Sequence, residues 1–432
     1  MLFTIDIGTS SFKSAVWSHE GKRVSFYSVP LSIDINDGSR QESKPQQWLG
    51  AFEESCKKHK NLKSVEAIVI SGNGPSLVPV TGEPSPAGKL TVPAENARLW
   101  LDKRAVKYQK EVSHIMGGFV DAKFFLPKIM YIKNEEPDIY NQTKYFLGCP
   151  EYLAYVLTGK AKTVFPCEGF DRWFWDSTVL EKLKLDFKKF PSFIKPGDFF
   201  GTLISAIAEQ FGFTKNIPVI SGGPDFYAAI LGSGVTEPGQ ACNRTGTSDG
   251  INLCTKNFVN ADELMSYRHP INEFWNLSGI IDSTGKSIEK GINQLGLSSY
   301  NDFFELAESG KAGLKNSNFA NSILEEIGFK IKDVLLKMEN AGEKAVQLRV
   351  TGGLSGNSFL NQLKADITGI NILTGEYKEA ELQGLAIIGS CTLGKYASYS
   401  EASGVFVSNK VIFKPNNRNT ALYNQLYNEY KK

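Results

Sequence analysis

Apolar and polar positions alternate in strand fashion from the first residues. Segments 2–8 (LFTIDIG), 13–20 (KSAVWSHE) and 23–33 (RVSFYSVPLSI) read as three strands separated by the turn residues Gly8–Ser11 and Glu20–Gly21. Connections this short cannot join parallel neighbours, which need a crossover of about a dozen residues, so the chain opens as an antiparallel meander. In 45–60 (PQQWLGAFEESCKKHK) the spacing of Trp48, Phe52 and Cys56 predicts a helix, and 64–71 (SVEAIVIS) a buried strand ended by Gly72, Gly74 and Pro75. The stretch from about Ala105 to Lys189 is mostly helical in pattern, with breaks at Pro127, Pro137, Gly159 and Pro166.

Beyond it, PVISGG (218–223) is a strand running into a helix-compatible DFYAAILGSG (225–234). QACNRTGTSDGINLC (240–254) repeats the design of the opening, two short strands around a glycine turn. A long helical stretch follows (322–341), then a strand (347–353), a helix (358–369) and a closing glycine-interrupted helix (381–396). The turn-rich VTEPGQ at 235–240 marks a boundary, so the expected domains are 1–236 and 237–432, each large enough for its own core. The length of 432 residues allows two large domains or three ordinary ones.

Charge and cysteine usage narrow the function classes. The 48 Lys and Arg against 46 Asp and Glu leave a net charge of +2 with no block of like charges, which argues against a nucleic-acid or anionic-membrane partner. The six cysteines are scattered without a CxxC pair and the four histidines are dispersed, so neither a disulfide framework nor a zinc site is expected. With no basic leader before MLFTIDIG and no run of 18 apolar residues, the expectation is a soluble, cytosolic protein.

Five segments carry candidate chemistry. The first is Asp6-Ile7-Gly8-Thr9-Ser10-Ser11-Phe12-Lys13, where a Gly and hydroxyl turn between strands turns backbone N–H groups into an anion-binding concavity. Lys13 adds positive charge, and Asp6 suits a hydrated magnesium ion, which takes one or two carboxylates and keeps most of its water. An ordinary hairpin turn uses the same residues. The second, Asn243 to Gly250, has the same chemistry at Gly246 and Thr247; two such turns on separate domains would clamp a polyphosphate from both sides. In the third, Val350 to Asn357, Gly352 and Gly353 allow a flat ring to approach the backbone and Asn357 can bond a base edge, although, taken by itself, a strand-to-helix turn needing positive φ is the better explanation of the glycines. The fourth, Ser221 to Asp225, ends a strand in a carboxylate that is either a general base or a helix N-cap. The fifth, Asn96 to Arg104, sets Trp100, Asp102 and Arg104 at alternate positions, which suits a polyol offering hydroxyls on one side and C–H on the other, or a surface ion pair beside a half-buried tryptophan.

In this order the motifs resemble one family, the FGGY carbohydrate kinases. DIGTSSFK is similar to its first phosphate motif, LWLDKR to its Trp-x-Asp-x-Arg element, EYLAYVLTGK to its mid-domain helix, and VISGGPDFYAAILGSGV to the strand and helix with the catalytic aspartate. RTGTSDG is similar to its second phosphate motif, VTGGLSGNSFLNQLKADITG to its adenosine motif, and EAELQGLAIIGSCTLG to its closing glycine-rich helix, so the likeness runs from Leu2 to about Tyr396. It implies an α/β, two-lobed, actin-like (ribonuclease H-like) ATPase fold with ATP and a sugar or polyol meeting in a central cleft. Asp225 would take the proton from the substrate hydroxyl as that oxygen attacks the γ-phosphate, in chemistry that is largely positioning and charge neutralisation. Gly8, Thr9, Ser10 and Lys13 would hold phosphates from one lobe and Gly246 and Thr247 from the other. Gly352, Gly353 and Asn357 would border the adenosine, and Asp6, with Asp225, would anchor hydrated magnesium.

The departures fall on the substrate side. After the strand AIVIS, family members acting on glycerol carry Arg-Glu and those acting on xylulose Gln-Met-His-Gly, whereas this chain has Gly72-Asn73-Gly74-Pro75-Ser76. Asn73 is the best polar candidate there, with Trp100, Asp102, Arg104 and Asp225 as further substrate residues. Pro224 and Phe226 flank Asp225 where Gly and an amide are common, and Asp249 adds a carboxylate beside the second phosphate turn. The leading expectation is an ATP-dependent, xylulokinase-like kinase for a small open-chain sugar or polyol. The alternative is a catalytically weak sugar- or nucleotide-binding regulator of the same fold. A homodimer is compatible with either.

Overall fold

A computed structural model describes residues 1–85, 87–246, 249–281, 284–310 and 319–432. They form two compact units, Met1–Ala228 with Gly384–Ala402, and Ala229–Gln383 with Ser403–Lys432. The division thus falls near the turn-rich cluster, but it is not a single cut, because Gly384–Ala402 packs with the first unit.

Unit 1 is built on a six-stranded sheet. Its strands are β1 (Leu2–Ile7), β2 (Ser11–Trp17), β3 (Arg23–Pro30), β4 (Ala67–Gly72), β5 (Phe199–Thr202) and β6 (Pro218–Pro224), in the order β5-β6-β4-β1-β2-β3. The opening meander is present as read: β1 pairs β2 and β2 pairs β3, both antiparallel. β1, β4 and β6 are parallel neighbours, and buried at almost every position, as expected of strands covered on both faces. The helix predicted at 45–60 is α1 (Gln46–Lys58), which buries Trp48, Leu49 and Phe52. The helical region after Ala105 includes α2 (Phe125–Glu135) and α3 (Cys149–Thr158), with short strands between the helices. Helix α3 is buried along its whole length and ends at Gly159, one of the expected breaks, whose φ of +70° makes it a left-handed cap. Helix α4 (Asp225–Gly232) starts at the residue after β6.

Unit 2 repeats the plan with one strand more. Its strands β7 (Gln240–Thr245), β8 (Asp249–Thr255), β9 (Met265–Arg268), β10 (Trp275–Ile281), β11 (Gln347–Gly352), β12 (Asn371–Gly375) and β13 (Asn409–Phe413) run in the order β9-β10-β8-β7-β11-β12-β13. β7 lies antiparallel to β8 and parallel to β11, β11 and β12 are parallel, and the antiparallel edge strand β13 closes the sheet, as β1, β2, β4, β6 and β5 do in unit 1. Helices α5 (Phe319–Asn340) and α6 (Ser358–Thr368) contribute Leu324, Ile327, Ile331, Leu360 and Leu363 to the core beneath it.

Helix α7 (Ala380–Thr392) is the glycine-interrupted segment, and its glycines do not break it. They let it pack without side chains: a Cβ on Gly384 would lie 1.8 Å from the Ala228 carbonyl oxygen, and one on Gly389 would lie 2.7 Å from a Val69 methyl. It is not the end of the chain's structure, since a helix at Tyr399–Phe406, β13 and a helix at Asn417–Tyr430 follow.

Gly384→Ala forces a methyl into backbone and is expected to cost several kcal/mol, on the order of the larger single-site effects known. Gly404, also helical, has nothing within 4 Å of a Cβ, so Gly404→Ala is expected to be neutral or to stabilise by up to about 1 kcal/mol. Thermal melting of the two variants beside the parent chain distinguishes them; equal midpoints would contradict the close approach at Gly384.

Candidate active site

The register of the parallel strands gathers the unit 1 residues. Ile7 is level with Gly72, and Gly72 with Pro224, so the residues just beyond these three strand ends are neighbours. Open α/β sheets bind ligands at this edge, outside the carboxyl ends of the strands. Asp6, Asn73 and Asp225 therefore converge although they lie far apart in sequence. The Asp6 carboxylate is buried at 3% exposure, and Lys13, its cross-strand partner, brings Nζ to 3.6 Å from Asp6 Oδ2. The turn between them is closed by Gly8 N–H donating to the Ser11 carbonyl at 2.9 Å, and it leaves Gly8 and Thr9 partly exposed and Ser10 exposed. Cys149, at the start of α3, has its thiol pushed up by burial and further by the nearby charges of Glu151, Asp6 and Asp225.

A hydrogen-bonded circuit ties the turn to two loops. Asn73 donates from its backbone N–H and from Nδ2 to the Ile7 carbonyl, at 2.8 and 2.9 Å, and its Oδ1 accepts from the Ser76 hydroxyl. Ser76 Oγ accepts from the Trp100 backbone N–H at 3.2 Å, and Trp100 Nε1 donates to Thr9 Oγ1 at 2.9 Å. Asn73, read from sequence as a substrate residue, thus has both ends of its amide in the frame of the loop. Lys128, buried at 2% exposure, donates from Nζ to the carbonyls of Pro75 and Leu99, each at 2.7 Å, holding both loops from below. Burial pulls its ammonium down to about 7. Sequence reasoning passed over Lys128 and Ser76; the available signal was a lone lysine inside the apolar run Phe125-Leu126-Pro127-Lys128-Ile129-Met130.

Asp102 and Arg104 form an ion pair, as one reading of the motif proposed, but not at the surface. Asp102 is 2% exposed and accepts from Gln41 N–H at 3.0 Å and Arg104 Nη2 at 2.8 Å. Arg104 also bonds Glu42 at 2.6 Å, and Glu42, fully buried, pairs with Arg98 at 3.0 Å as well. Asp225 is half-buried at the head of α4, and Phe226 N–H donates to its Oδ1 at 2.6 Å. Glu151, buried in the first turn of α3, accepts from Val164 N–H at 3.2 Å, and burial raises its carboxyl to about 7.

In unit 2, Thr245 is level with Gly352 on neighbouring parallel strands, so Gly246 and Gly353 leave their strands side by side. Gly352 has φ +88°, and a Cβ there would lie 2.1 Å from the Thr245 carbonyl oxygen, so only glycine fits. Thr245 Oγ1 donates to the Thr351 carbonyl at 2.6 Å and accepts from Leu354 N–H at 3.2 Å, fastening the two loops together. Asn357 N-caps α6, accepting from Leu360 N–H at 2.8 Å. Thr247 lies outside the described residues. Asp249 is turned inward: it is 1% exposed, and Asn243 Nδ2 donates to it at 3.0 Å while the Asn243 oxygen accepts from buried Lys364 at 2.7 Å. Burial raises the Asp249 carboxyl and lowers the Lys364 ammonium, each opposed by the other's charge.

Asp6 and Asp225 stand at strands on either side of β4, and two carboxylates placed so would suit a hydrated magnesium ion, which takes one or two of them. Among the described residues no group of three or more metal-ligating side chains forms, so no all-protein cage competes with that arrangement. A separate cavity of about 470 Å³, lined by Phe165, Phe174, Trp175 and Phe193 among others, includes none of the residues picked out by the sequence motifs.

The two sheets with their paired glycine turns define a two-domain, actin-like kinase, and the chain belongs to the FGGY family of carbohydrate kinases. It matches the family's N-terminal domain over residues 1–232 and its C-terminal domain over 292–393. It is 23% identical over 482 aligned positions to the xylulose kinase of Staphylococcus epidermidis, covering 99% of this chain and 95% of that one. Its fold is that of the Lactobacillus acidophilus xylulose kinase, with a TM-score of 0.83 at 19% identity over 100% of this chain and 97% of that one. The gluconate kinase of the same organism scores an equal 0.83 at 19% identity over 99% and 96% of the two chains. The chain is an ATP-dependent kinase of a sugar or polyol, and no helix among the described residues is long and apolar enough to cross a membrane.

Two measurements test the buried charges. Glu151 has a folded value raised above its ordinary 4.5, so its contribution to stability is full below pH 4.5 and lost as pH rises through about 7. Relative to Glu151→Gln, the parent chain is expected to lose up to about 3 kcal/mol across that window; parallel pH profiles would refute the burial argument. Lys364→Met leaves Asp249 without its counter-charge and is expected to destabilise by about 3 kcal/mol, part of which the double change with Asp249→Asn restores. Additive losses in thermal melts would mean that the two charges are not coupled.

Proposed function

We propose that the chain transfers the γ-phosphate of ATP to a hydroxyl of a small open-chain sugar or polyol, with Asp225 as general base. The observation that carries this reading is the convergence of Asp225, Asp6 and the Gly8–Ser10 turn at adjacent ends of β1, β4 and β6, with Trp100 bonded directly to Thr9. Phosphate held by the turn and a polyol held against Trp100 would be neighbours, with a carboxylate within the same strand edge to receive a proton.

On this reading the acceptor hydroxyl gives its proton to an Asp225 carboxylate oxygen as its own oxygen bonds the γ-phosphorus, and the bond from that phosphorus to the β,γ-bridging oxygen breaks to release ADP. Gly8, Thr9, Ser10 and Lys13 are the phosphate residues of unit 1; Gly246 is read as a phosphate residue of unit 2, with Thr247, which lies outside the described residues. Gly352, Gly353 and Asn357 border the adenosine. Magnesium, held by Asp6 and Asp225 through water, would supply charge neutralisation on the phosphates. Trp100 gives the acceptor an apolar wall, and Asp102 and Arg104, locked to Glu42, hold that wall and border the substrate. Asn73 positions the loop.

The weak-regulator alternative drew on two features, the altered substrate loop and Asp249. Lys364 behind Asn243 supplies a counter-charge for Asp249 and removes the second motive.

Purified protein assayed for ADP release against ketoses, polyols and sugar acids is expected to show substrate-stimulated turnover with at least one; none across the panel would end the kinase reading. Asp225→Asn is expected to lower kcat by about 10²–10⁴-fold, the usual range for a general base, with ATP affinity changed less than about twofold. Loss of ATP binding in that variant would instead make Asp225 a structural residue.

A further inference from the structure

Asp249 opens β8 and Lys364 lies in the middle of α6, and both are buried within unit 2. Asn243 of β7 stands between them, donating from Nδ2 to Asp249 Oδ2 at 3.0 Å and accepting at Oδ1 from Lys364 Nζ at 2.7 Å. The bonds run one way, from an ammonium through an amide to a carboxylate. Burial raises the Asp249 carboxyl, and against it the Lys364 charge, Asn243, the Gly246 backbone and the Thr284 hydroxyl each favour the ionised form. The two charges therefore sit differently with respect to the second glycine turn. Asp249 faces Gly246 itself, whereas Lys364 is one side chain further back. Asn357, Asn361 and Lys364, spaced i, i+4 and i+7, share one face of α6. Asn357 caps the helix, and Asn361 Nδ2 donates to the Ser355 carbonyl at 2.8 Å. The ammonium is thus carried on a helix fixed to the loop at 352–355, and Thr245, the residue before Gly246, fastens its own strand to that loop.

Fixed charges inside a protein act on the charge of a ligand over several ångströms, at an effective dielectric of about 20 rather than the roughly 80 of water. A phosphate at Gly246 is repelled by Asp249 and attracted by Lys364, and each further phosphate adds to both effects. Neither side chain needs to touch the ligand. We propose that Asp249 and Lys364 are specificity residues for the phosphate donor, their opposed charges setting how steeply affinity rises from AMP through ADP to ATP. The carboxylate keeps the turn from holding the diphosphate product too firmly, and the ammonium keeps it from repelling the triphosphate. This deepens the kinase reading and rests on it for the presence of phosphates at Gly246.

The test is calorimetry on the full chain at pH 8 with AMP, ADP and ATP, in EDTA so that each phosphate adds its full charge. It reads the ratio of the AMP to the ATP dissociation constant, which a shared loss of folded protein leaves unchanged. Lys364→Met leaves the carboxylate unopposed and is expected to lower that ratio about tenfold, the scale of one unbalanced charge a few ångströms from a phosphate, with ADP falling between. Asp249→Asn is expected to raise the ratio, and the double variant to lie near the parent. Losses equal for all three nucleotides are what a purely structural pair gives, and they overturn the proposal, as do shifts of the two single variants in the same direction. If Lys364→Met cannot be purified folded, Asp249→Asn decides alone, by raising the ratio or leaving it unmoved. ADP release with magnesium and an acceptor is read separately on the parent chain. Turnover with unmoved ratios sinks the charge balance and leaves the kinase reading standing. Opposite shifts without turnover do the reverse, and a parent chain that binds no nucleotide overturns both.

Discussion

The alignment of three parallel strands governs unit 1. Ile7, Gly72 and Pro224 stand level, and every functional juxtaposition on that side follows from it. A slip of one residue would turn each strand's inward set outward, carrying Asp6 to the opposite face of the sheet. The same alignment sets β2 against β1 so that Lys13 faces Asp6. Because these strands are buried on both faces, their apolar side chains resist such a slip, and the polar residues at their ends inherit a precision that no loop could supply alone.

The two units use one strand plan and brace it differently. In unit 2 the turn is fastened by the neighbouring strand, through Thr245 to Thr351 and Leu354. In unit 1 the brace is Trp100, brought from a loop that is itself held by Lys128 and by the Glu42, Arg98 and Arg104 ion pairs. Buried charges of this kind are tolerated only with their partners present. Their value here is that they leave the Trp100 loop a single position, at the cost of desolvating several ions.

Local patterns carried much of this into the sequence. The meander, the first glycine turn and the strand-to-helix step at Asp225 are all short-range features, governed by alternation, turn chemistry and φ, and they stand where the pattern placed them. The order of β6, β4 and β1 is not short-range, and nothing near Asn73 announces that its amide closes on Ile7. A surface pair was one of the two readings of Asp102 and Arg104 because Glu42, which makes them a buried network, lies about sixty positions away. The aromatic residues of 165–175 carry no sequence signal that joins them to Asp225, since only the structure brings Phe170 onto Phe226. Lys364, on α6, was invisible for the same reason, its partner Asn243 lying on β7, 121 positions earlier.

The return of Gly384–Ala402 to unit 1 bears on how the chain comes into being. During synthesis the first 228 residues emerge with the site of Gly384 and Gly389, against Ala228, Val69 and Leu2, still open. The segment that covers it is translated only after most of unit 2. The unit that begins first is therefore completed late, and the nascent N-terminal half must keep an apolar strip from aggregating until the ribosome has passed residue 402.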